Sequence, residues 1–489
     1  MSPVVTPNAL AWIALAAWPA IVLVFFAIRS RSGRVAATTA WMMLLPVMFL
    51  PSALAFKTPG VPSLDKDRIS FLAIALALAL FHPQELRSRD RWRNFPFVVL
   101  AILSYGIYRT VQSNPDVLTF GPTVLPGLTS HDIPSNIVAI FLDLFLPFFV
   151  GQRVFRSERD LRDLFRVLTT CALVYAPFML IELRLSPQFH NWVYGYHPSA
   201  FLQGIRGSGY RPTVFMKHGL SVAMFSFTAL CAAMALTKVR ARLDRPSARV
   251  RMGITAAMVL ACKSYGAIIY SLAAAPLILL FSRRVVRLVV LLLAHGVVAY
   301  PTSRAAGWFP TQDLVSFFAR IDGERAFSLG FRFNQEDELL RRAGERPTYG
   351  WGTFGRNRVY AAWGQDVSIT DGYWVIALGI WGFLGFAGFF AILVVPLLRY
   401  VWNSPRMPWT SQVLVGSLAL VVVISTVDLL PNARSDHLPV AYAGALFTLA
   451  GALVRSRRKS VRPRWAAGTP MGAIPGPGNW NGEASSSDK

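Results

Sequence analysis

Arg325 and Arg332 stand seven residues apart in a stretch, 302–370, that holds nine arginines, eight acids and no lysine. A guanidinium is a planar fork that meets two phosphate oxygens at once, whereas an ammonium is a point charge. On one continuous helix these two arginines would face the same way, about two turns apart, and could clamp a diphosphate. Pairing with the stretch's own acids is the competing use, and Glu324 and Glu336 lie within helical reach. Gly330 between the two arginines leaves the continuity of that helix open.

The segment NQEDELLRRAGERP (334–347) reads as a helix of its own. Asn334 would cap it, Glu336, Asp337 and Glu338 would fill the first turn, and Arg341 and Arg342 the last. Asp337 to Arg341 and Glu338 to Arg342 are favourable pairs four apart, so both arginines would be engaged.

Residues 350–355, GWGTFG, have the glycine spacing of a dinucleotide-binding turn. That fingerprint requires a buried strand before it and a helix opening at its end, and Pro347-Thr348-Tyr349 is no such strand. Gly350, Gly352 and Gly355 instead shape a tight turn, either a plain connection or one that brings Arg356 and Arg358 near a site.

These residues must be held by elements that live in lipid. Of the 489 residues 54% are hydrophobic and 15% charged, too apolar a composition for a soluble chain of this length. Thirteen apolar stretches read as spans: 9–28, 35–56, 69–82, 95–112, 134–152, 167–183, 214–236, 252–262, 265–281, 288–301, 373–396, 411–428 and 438–454. The expected fold is an all-α polytopic membrane bundle of 12–13 helices over 1–454, with a large helical loop between late spans. The pair 252–262 and 265–281 reads as a short hairpin about Lys263-Ser264-Tyr265-Gly266.

The formal charge of +24 suggests nucleic acid only until its position is considered. The basic residues come in bursts between alternate spans, at 29–34, 87–93, 153–166, 238–251, 283–287, 399–406 and 455–464, while 113–133 has no Lys or Arg. That alternation puts these bursts, and the carboxyl terminus, in the cytoplasm against anionic lipid, and the amino terminus outside. Nucleic acid is not an expected partner. The two long outer loops are then 184–213 and 302–370. The first span lacks a basic n-region and a cleavage motif and reads as retained. Residues 455–489 read as a basic and then disordered tail rich in Gly, Pro and Ser.

Cys171, Cys231 and Cys262 sit in or beside apolar runs without metal-ligand spacing and read as inert thiols. No metal cluster is expected, and His190 and His197 read as surface residues of the aromatic loop QFHNWVYGYHPSAF. That loop suits either stacking on sugar rings or an interfacial belt. Ionisable residues within spans are functional candidates by default. Lys217 and Lys263 lie near outer span ends, where they either snorkel or contact a diphosphate. Asp143, His295 and Asp428 read as hydrogen-bonding residues within the bundle.

Four motifs in order, ERAFSL (324–329), FRFNQEDELLRRA (331–343), RPTYGWGTFG (346–355) and DGYWVIALGIWGFLG (371–385), together resemble the shared domain of O-antigen ligases and polymerases. IRGSGYRPTVFMKHGLSVAMF (205–225) and ACKSYGAIIYSL (261–272) are more weakly similar to that family's middle segments, so the likeness spans roughly 206–396. In the ligases the last motif opens with a His, ten residues before a Gly; here Asp371 stands in that position and Gly382 follows the ten. The replacement favours polymerase over ligase.

The resemblance implies a GT-C-like, metal-independent and cofactor-free glycosyltransferase of the bacterial inner membrane, making O-antigen or exopolysaccharide. It would move a glycan from an undecaprenyl-diphosphate donor to a sugar hydroxyl at the periplasmic face, alongside chain-length regulator and flippase proteins. Arg325 and Arg332, with Arg206 or Arg211 and with Lys217, would stabilise the departing diphosphate. Asp371 would orient or deprotonate the acceptor, although an ordinary Asp with a pKa of about 3.9 is a weak base. A second use for Asp371 is to cap the next helix through the Tyr373 or Trp374 amide. The rival readings are a ligase that attaches finished glycan to lipid A core or another acceptor, and a transporter or flippase of the same lipid.

Overall fold

The computed structural model describes residues 6–29, 34–58, 60–87, 90, 92–199, 204–206, 209–240, 247–369, 371–434 and 436–461; of Arg206, Arg325 and residues 455–461 it describes the backbone alone. The expected disordered tail beyond 461 lies outside the described residues. In chain order come α1 (Ala9–Arg29), α2 (Val35–Phe49), the hairpin β1 (Ala55–Thr58) and β2 (Val61–Asp65), α3 (Lys66–Phe81), α4 (Pro83–Leu86) and α5 (Phe95–Gln112). A second hairpin, β3 (Leu118–Phe120) and β4 (Thr123–Leu125), precedes α6 (Asp132–Ile140), which runs through a π-helical turn at Phe141–Phe145 into α7 (Leu146–Val154). Then follow α8 (Glu158–Leu185), α9 (Phe189–Tyr194), the small hairpin β5 (Ile205–Arg206) and β6 (Gly209–Tyr210), α10 (Gly219–Lys238), α11 (Ala248–Ala261), α12 (Tyr265–Leu279) and α13 (Arg283–Ala305). Last are α14 (Thr311–Ala319), α15 (Gly323–Gly344), α16 (Tyr373–Asn403), α17 (Trp409–Asp428) and α18 (His437–Val461).

All thirteen apolar stretches carry helix, and among the described residues nine helices are long and apolar enough to cross a membrane. The chain is a mostly helical, multi-pass bundle. Boundaries differ from the sequence reading where local chemistry overrides hydropathy. α2 stops at Phe49 rather than 56, because Leu50 precedes Pro51 and is driven to extended geometry, ψ 152°. α8 begins at Glu158 rather than 167: Ser157 and Asp160 form a reciprocal capping box, and Glu158 pairs with Arg162 at 2.6 Å.

The most buried helices are α10, α17 and α18. α10 is rich in Ala, Ser, Gly and Cys, and small side chains let neighbouring backbones approach in a bilayer. α7 and α18 take this furthest, since a Cβ at Gly151 would lie 1.9 Å from the Ala441 carbonyl and one at Gly444 2.0 Å from that of Phe148.

Candidate functional site

The GWGTFG turn docks on a break in α16. Gly382 has φ 64° and ψ −166°, so the helix cannot continue its own bonds there. The lost bonds are exchanged with the turn: Trp351 N–H donates to the Gly379 carbonyl (2.9 Å) and Gly352 N–H to that of Ile380 (2.8 Å). In return Phe383 N–H reaches the Pro347 carbonyl (2.7 Å) and Leu384 N–H that of Thr348 (3.3 Å). The backbones are too close for side chains: a Cβ at Gly350 would be 2.4 Å from the Ile380 oxygen, and one at Gly382 2.4 Å from Thr348. Gly350, Gly352 and Gly355 have φ of 71°, 78° and 74°, which glycine alone adopts without cost.

This turn does not deliver its arginines to a site. Arg356 is buried and donates to the carbonyls of Asp116 (2.7 Å) and Pro126 (2.9 Å), tying down the β3–β4 segment. Arg358 pairs with Asp366 at 2.5 Å.

α15 also departs from expectation. It starts at Gly323 and passes through Gly330, so Asn334 lies inside the helix and caps nothing. The pairs four apart give way to other partners: Asp337 meets Arg304 at 2.9 Å, and Arg342 bonds Glu345, three residues on, at 2.6 Å, donates to the Arg356 carbonyl at 3.1 Å and lies 3.4 Å from the Trp351 ring centroid. Glu336 accepts from Tyr300 Oη (2.6 Å) and Arg304, and burial pushes its carboxyl pKa up. It is therefore not a partner of Arg332.

Arg332 turns instead to Asp371, 3.7 Å away, and both line a cavity of about 880 Å³. The starts of α3, α10, α16 and α18 and the end of α17 meet there, so it lies at one end of the bundle. Asp371 does not cap α16; Gly372 is the cap residue, without a side-chain bond, and Tyr373 N–H goes to the Leu429 carbonyl at 2.9 Å. Lys217 is exposed on the same cavity wall. Among the described residues Arg332 is the one arginine of 302–370 that lines it.

The other expected ligands are elsewhere. Arg211 is buried and does not line the cavity; it packs against Gly219, where a Cβ would come within 2.5 Å of its Cδ. The side chains of Arg206 and Arg325 lie outside the described residues, although Arg325 shares α15 with Arg332. Lys263 lies against Gly209, whose Cβ would be 2.4 Å from its Nζ, and is not part of the wall. His295 sits on an exposed face of α13, not within the bundle.

A second charged cluster in the cavity gathers around Asp143, expected as a hydrogen-bonding residue of the bundle, with partners that the sequence did not point to. Asp143, on the π-helical turn, receives Arg68 Nε at 2.6 Å and Nη2 at 2.7 Å. His437, at the start of α18, approaches the same carboxylate through Nε2 at 3.2 Å and Asp67 through Nδ1 at 3.8 Å, while its ring stacks on Phe71. π-helical turns often mark functional positions, because the extra residue re-aims a side chain. Deeper, Asp428 is held by Tyr270 Oη (3.2 Å), Asn432 Nδ2 (2.9 Å) and Arg434 (3.6 Å).

Buried polar groups pin the segments around Ser52 and Lys66, which line the cavity, and the loop packed behind them. Glu182 accepts from the amides of Phe189 (3.0 Å), Thr213 (2.9 Å) and Val214 (2.8 Å), folding loop 184–213 back onto α8. Lys66 donates to the carbonyls of Val47 and Leu50 (3.1 Å each) and to Ser52 Oγ (2.8 Å), satisfying the end of α2. His190 is buried and not a surface residue: Nε2 accepts from Ser52 N–H (3.0 Å) and Nδ1–H donates to the Tyr196 carbonyl (2.8 Å). Burial lowers its pKa to about 4, so it stays neutral in that tautomer.

Among the described residues no group of three or more His, Cys, Asp or Glu could hold a metal ion. The arrangement can place two cations, Lys217 and Arg332, and a carboxylate, Asp371, around one solvent-reachable space. Comparison of the chain with known protein families and with curated proteins finds no match.

Proposed function

We propose that this chain is a membrane-embedded glycosyltransferase that extends a surface polysaccharide, using a polyprenyl-diphosphate-linked glycan as donor and a sugar hydroxyl as acceptor. The observation that carries the reading is the convergence of Lys217, Arg332 and Asp371, distant in the chain, on one cavity at the end of the bundle. In the reaction the bond between the anomeric carbon and the diphosphate oxygen breaks as the acceptor oxygen bonds that carbon. Negative charge grows on the departing diphosphate, where fixed cations act best. Lys217 and Arg332 are positioned to take that charge. Asp371, 3.7 Å from Arg332, accepts the acceptor's proton.

Arg332 links the two tasks. As the diphosphate draws its guanidinium away, Asp371 is freed to hydrogen-bond the acceptor hydroxyl. The helices α3, α10 and α16, which begin at this cavity, end at Phe81, Lys238 and Asn403 beside basic bursts of the sequence, which supports an extracytoplasmic site, an outward amino terminus and an inward carboxyl terminus.

The test is to substitute R332A and D371N separately in cells and to follow protein abundance, surface glycan length and lipid-linked intermediates. The expected result is normal abundance with single repeats left on the carrier. Long chains accumulating on the carrier would make the protein a ligase, and unchanged glycan in both variants would remove the enzymatic reading.

A further inference from the structure

The exposed face of α5 changes character along its length. Val98 and Ile102 turn aliphatic side chains outward, and Tyr105, Tyr108 and Arg109 follow them. Spacings of four and three put Val98, Ile102, Tyr105 and Arg109 on one stripe. α5 is long and apolar enough to cross a membrane, so this stripe faces lipid, and its tyrosines stand where a span leaves the apolar layer. α3 begins at the cavity and α5 runs back after it; near its end Thr110 and Asn114 bond the Tyr349 and Gly350 carbonyls of the turn that docks on α16. The stripe therefore ends on the cavity's side of the bundle.

Arg109 is exposed at that end and is held in place by neutral groups. It donates to Tyr105 Oη at 3.2 Å, and its guanidinium lies 4.9 Å from the Tyr349 ring centroid. One turn further along, the Ser113 carbonyl accepts from Arg346, whose guanidinium lies 4.5 Å from the Trp351 ring centroid. Among the described residues neither arginine forms an ion pair. The acids of the neighbourhood are placed elsewhere: Glu345 binds Arg342 at 2.6 Å, and Asp116 sits at Arg356, which donates to its carbonyl at 2.7 Å.

We propose that this corner binds one anionic phospholipid of the leaflet on the cavity's side, with its headgroup phosphate at Arg109 and Arg346 and an acyl chain along Ile102 and Val98. A guanidinium fork meets two phosphate oxygens at once. The head is anionic and not zwitterionic, because a choline or ethanolamine cation would lie against two guanidiniums, with Glu345 already taken by Arg342. The apolar stripe selects a lipid over a free phosphate, which would leave that stripe uncovered. The site is independent of the glycosyl-transfer reading and survives its failure.

The experiment uses the full-length protein, purified and stripped of lipid in detergent. Phosphatidylglycerol or phosphatidylcholine with identical acyl chains is added, and retained lipid is counted by native mass spectrometry. The wild-type protein is expected to keep one phosphatidylglycerol in preference to phosphatidylcholine. R109Q should lower that retention about fivefold, the effect of roughly one basic residue at an anionic surface. The control is R320Q, which should leave it unchanged: Arg320 is exposed just before α15, whose 22 residues, about 33 Å, separate it from the site. Equal retention of the two lipids overturns the proposal, and so does wild-type retention in R109Q. An equal loss in R320Q, which would mean diffuse attraction, or displacement of phosphatidylglycerol by millimolar inorganic phosphate, overturns it too. Should R109Q not extract as folded protein, Y105F decides: it keeps the charge and removes the hydroxyl that holds Arg109, so retention should fall about twofold, and wild-type retention there counts against the site.

Discussion

Asp143 holds both forks of Arg68, Nε at 2.6 Å and Nη2 at 2.7 Å, and so ties the π-helical turn between α6 and α7 to the first turn of α3. The bidentate geometry is the strongest form such a pair takes. The Arg68 side chain is 15% exposed, whereas Asp143 opens to the cavity at 41%. Breaking the pair should therefore cost less than the 3–5 kcal/mol of a fully buried one, about 2 kcal/mol. D143N and R68Q should each lower the thermal midpoint of the purified protein by a similar amount, and the double variant by little more than either. Additive losses would show that the two do not act as one unit.

The crossing of the Gly350 turn with Gly382 predicts an asymmetric response to the smallest side chain. G350A and G382A each put a methyl group within van der Waals overlap of backbone and force it to a positive φ. Loss of folded protein is expected, equivalent to about 3 kcal/mol or more. G253A, inside α11 with open space around its Cβ, should instead be neutral or stabilising by about 0.5–1 kcal/mol. Monodispersity and thermal midpoint after extraction separate these outcomes; a folded G382A protein would mean that the break in α16 can move.

Part of this was legible in the chain. The helix at 95–112 was read to the residue, because Pro96 near its start and Ser113-Asn114-Pro115 after it bound the apolar run cleanly. The arginine-rich loop was harder. Spacing pairs Asp337 with Arg341, but packing against α13 hands Asp337 to Arg304, since a partner buried by tertiary structure outcompetes an exposed neighbour. Asp143 stands out as an ionisable residue in a span, but Arg68 and His437 gave no local signal, being joined to it only when α3, the π-helical turn and α18 meet. His190 read as a surface residue and Glu182 drew no reading, because their partners are backbone amides and carbonyls that only a folded loop presents. The presence of a Glu in an otherwise apolar run, MLIELRL, was the one available hint.

His190 makes stability depend on pH. Its pKa is about 4 in the folded protein against 6.5 for an ordinary His, so the unfolded chain binds the proton first. Its contribution is complete above about pH 6.5 and is lost as pH falls from there toward about 4. The loss should reach about 2 kcal/mol near pH 5. H190Q should start less stable at neutral pH and show a flatter decline; parallel decline in both proteins would assign the acid sensitivity to other groups.

Lys217 and Lys263 separate the cavity from its surroundings. Both are exposed lysines near helix starts, but Lys217 lines the cavity and Lys263 lies against Gly209 outside it. If the cavity handles a diphosphate, K217A should reduce polymer formation about tenfold to a hundredfold, the range for one preorganised donor open to solvent. K263A should leave it near wild type. Equal effects would place the chemistry away from this wall.

The three native cysteines, Cys171, Cys231 and Cys262, are all buried, so thiol labelling of the native chain should have a low background. That permits a direct test of which way the cavity faces. A cysteine at Ser199, on the cavity wall, should react with a membrane-impermeant maleimide added to cells with a permeable outer envelope. A cysteine at Arg249, at the exposed start of α11 among the basic bursts, should react only after the inner membrane is opened. The sign of the result follows from the positive-inside bias, which acts on short loops such as that near Arg249 more strongly than on long ones such as 302–370. The reverse pattern would turn the bundle over, put Lys217, Arg332 and Asp371 on the cytoplasmic side, and remove the outer-face donor from consideration.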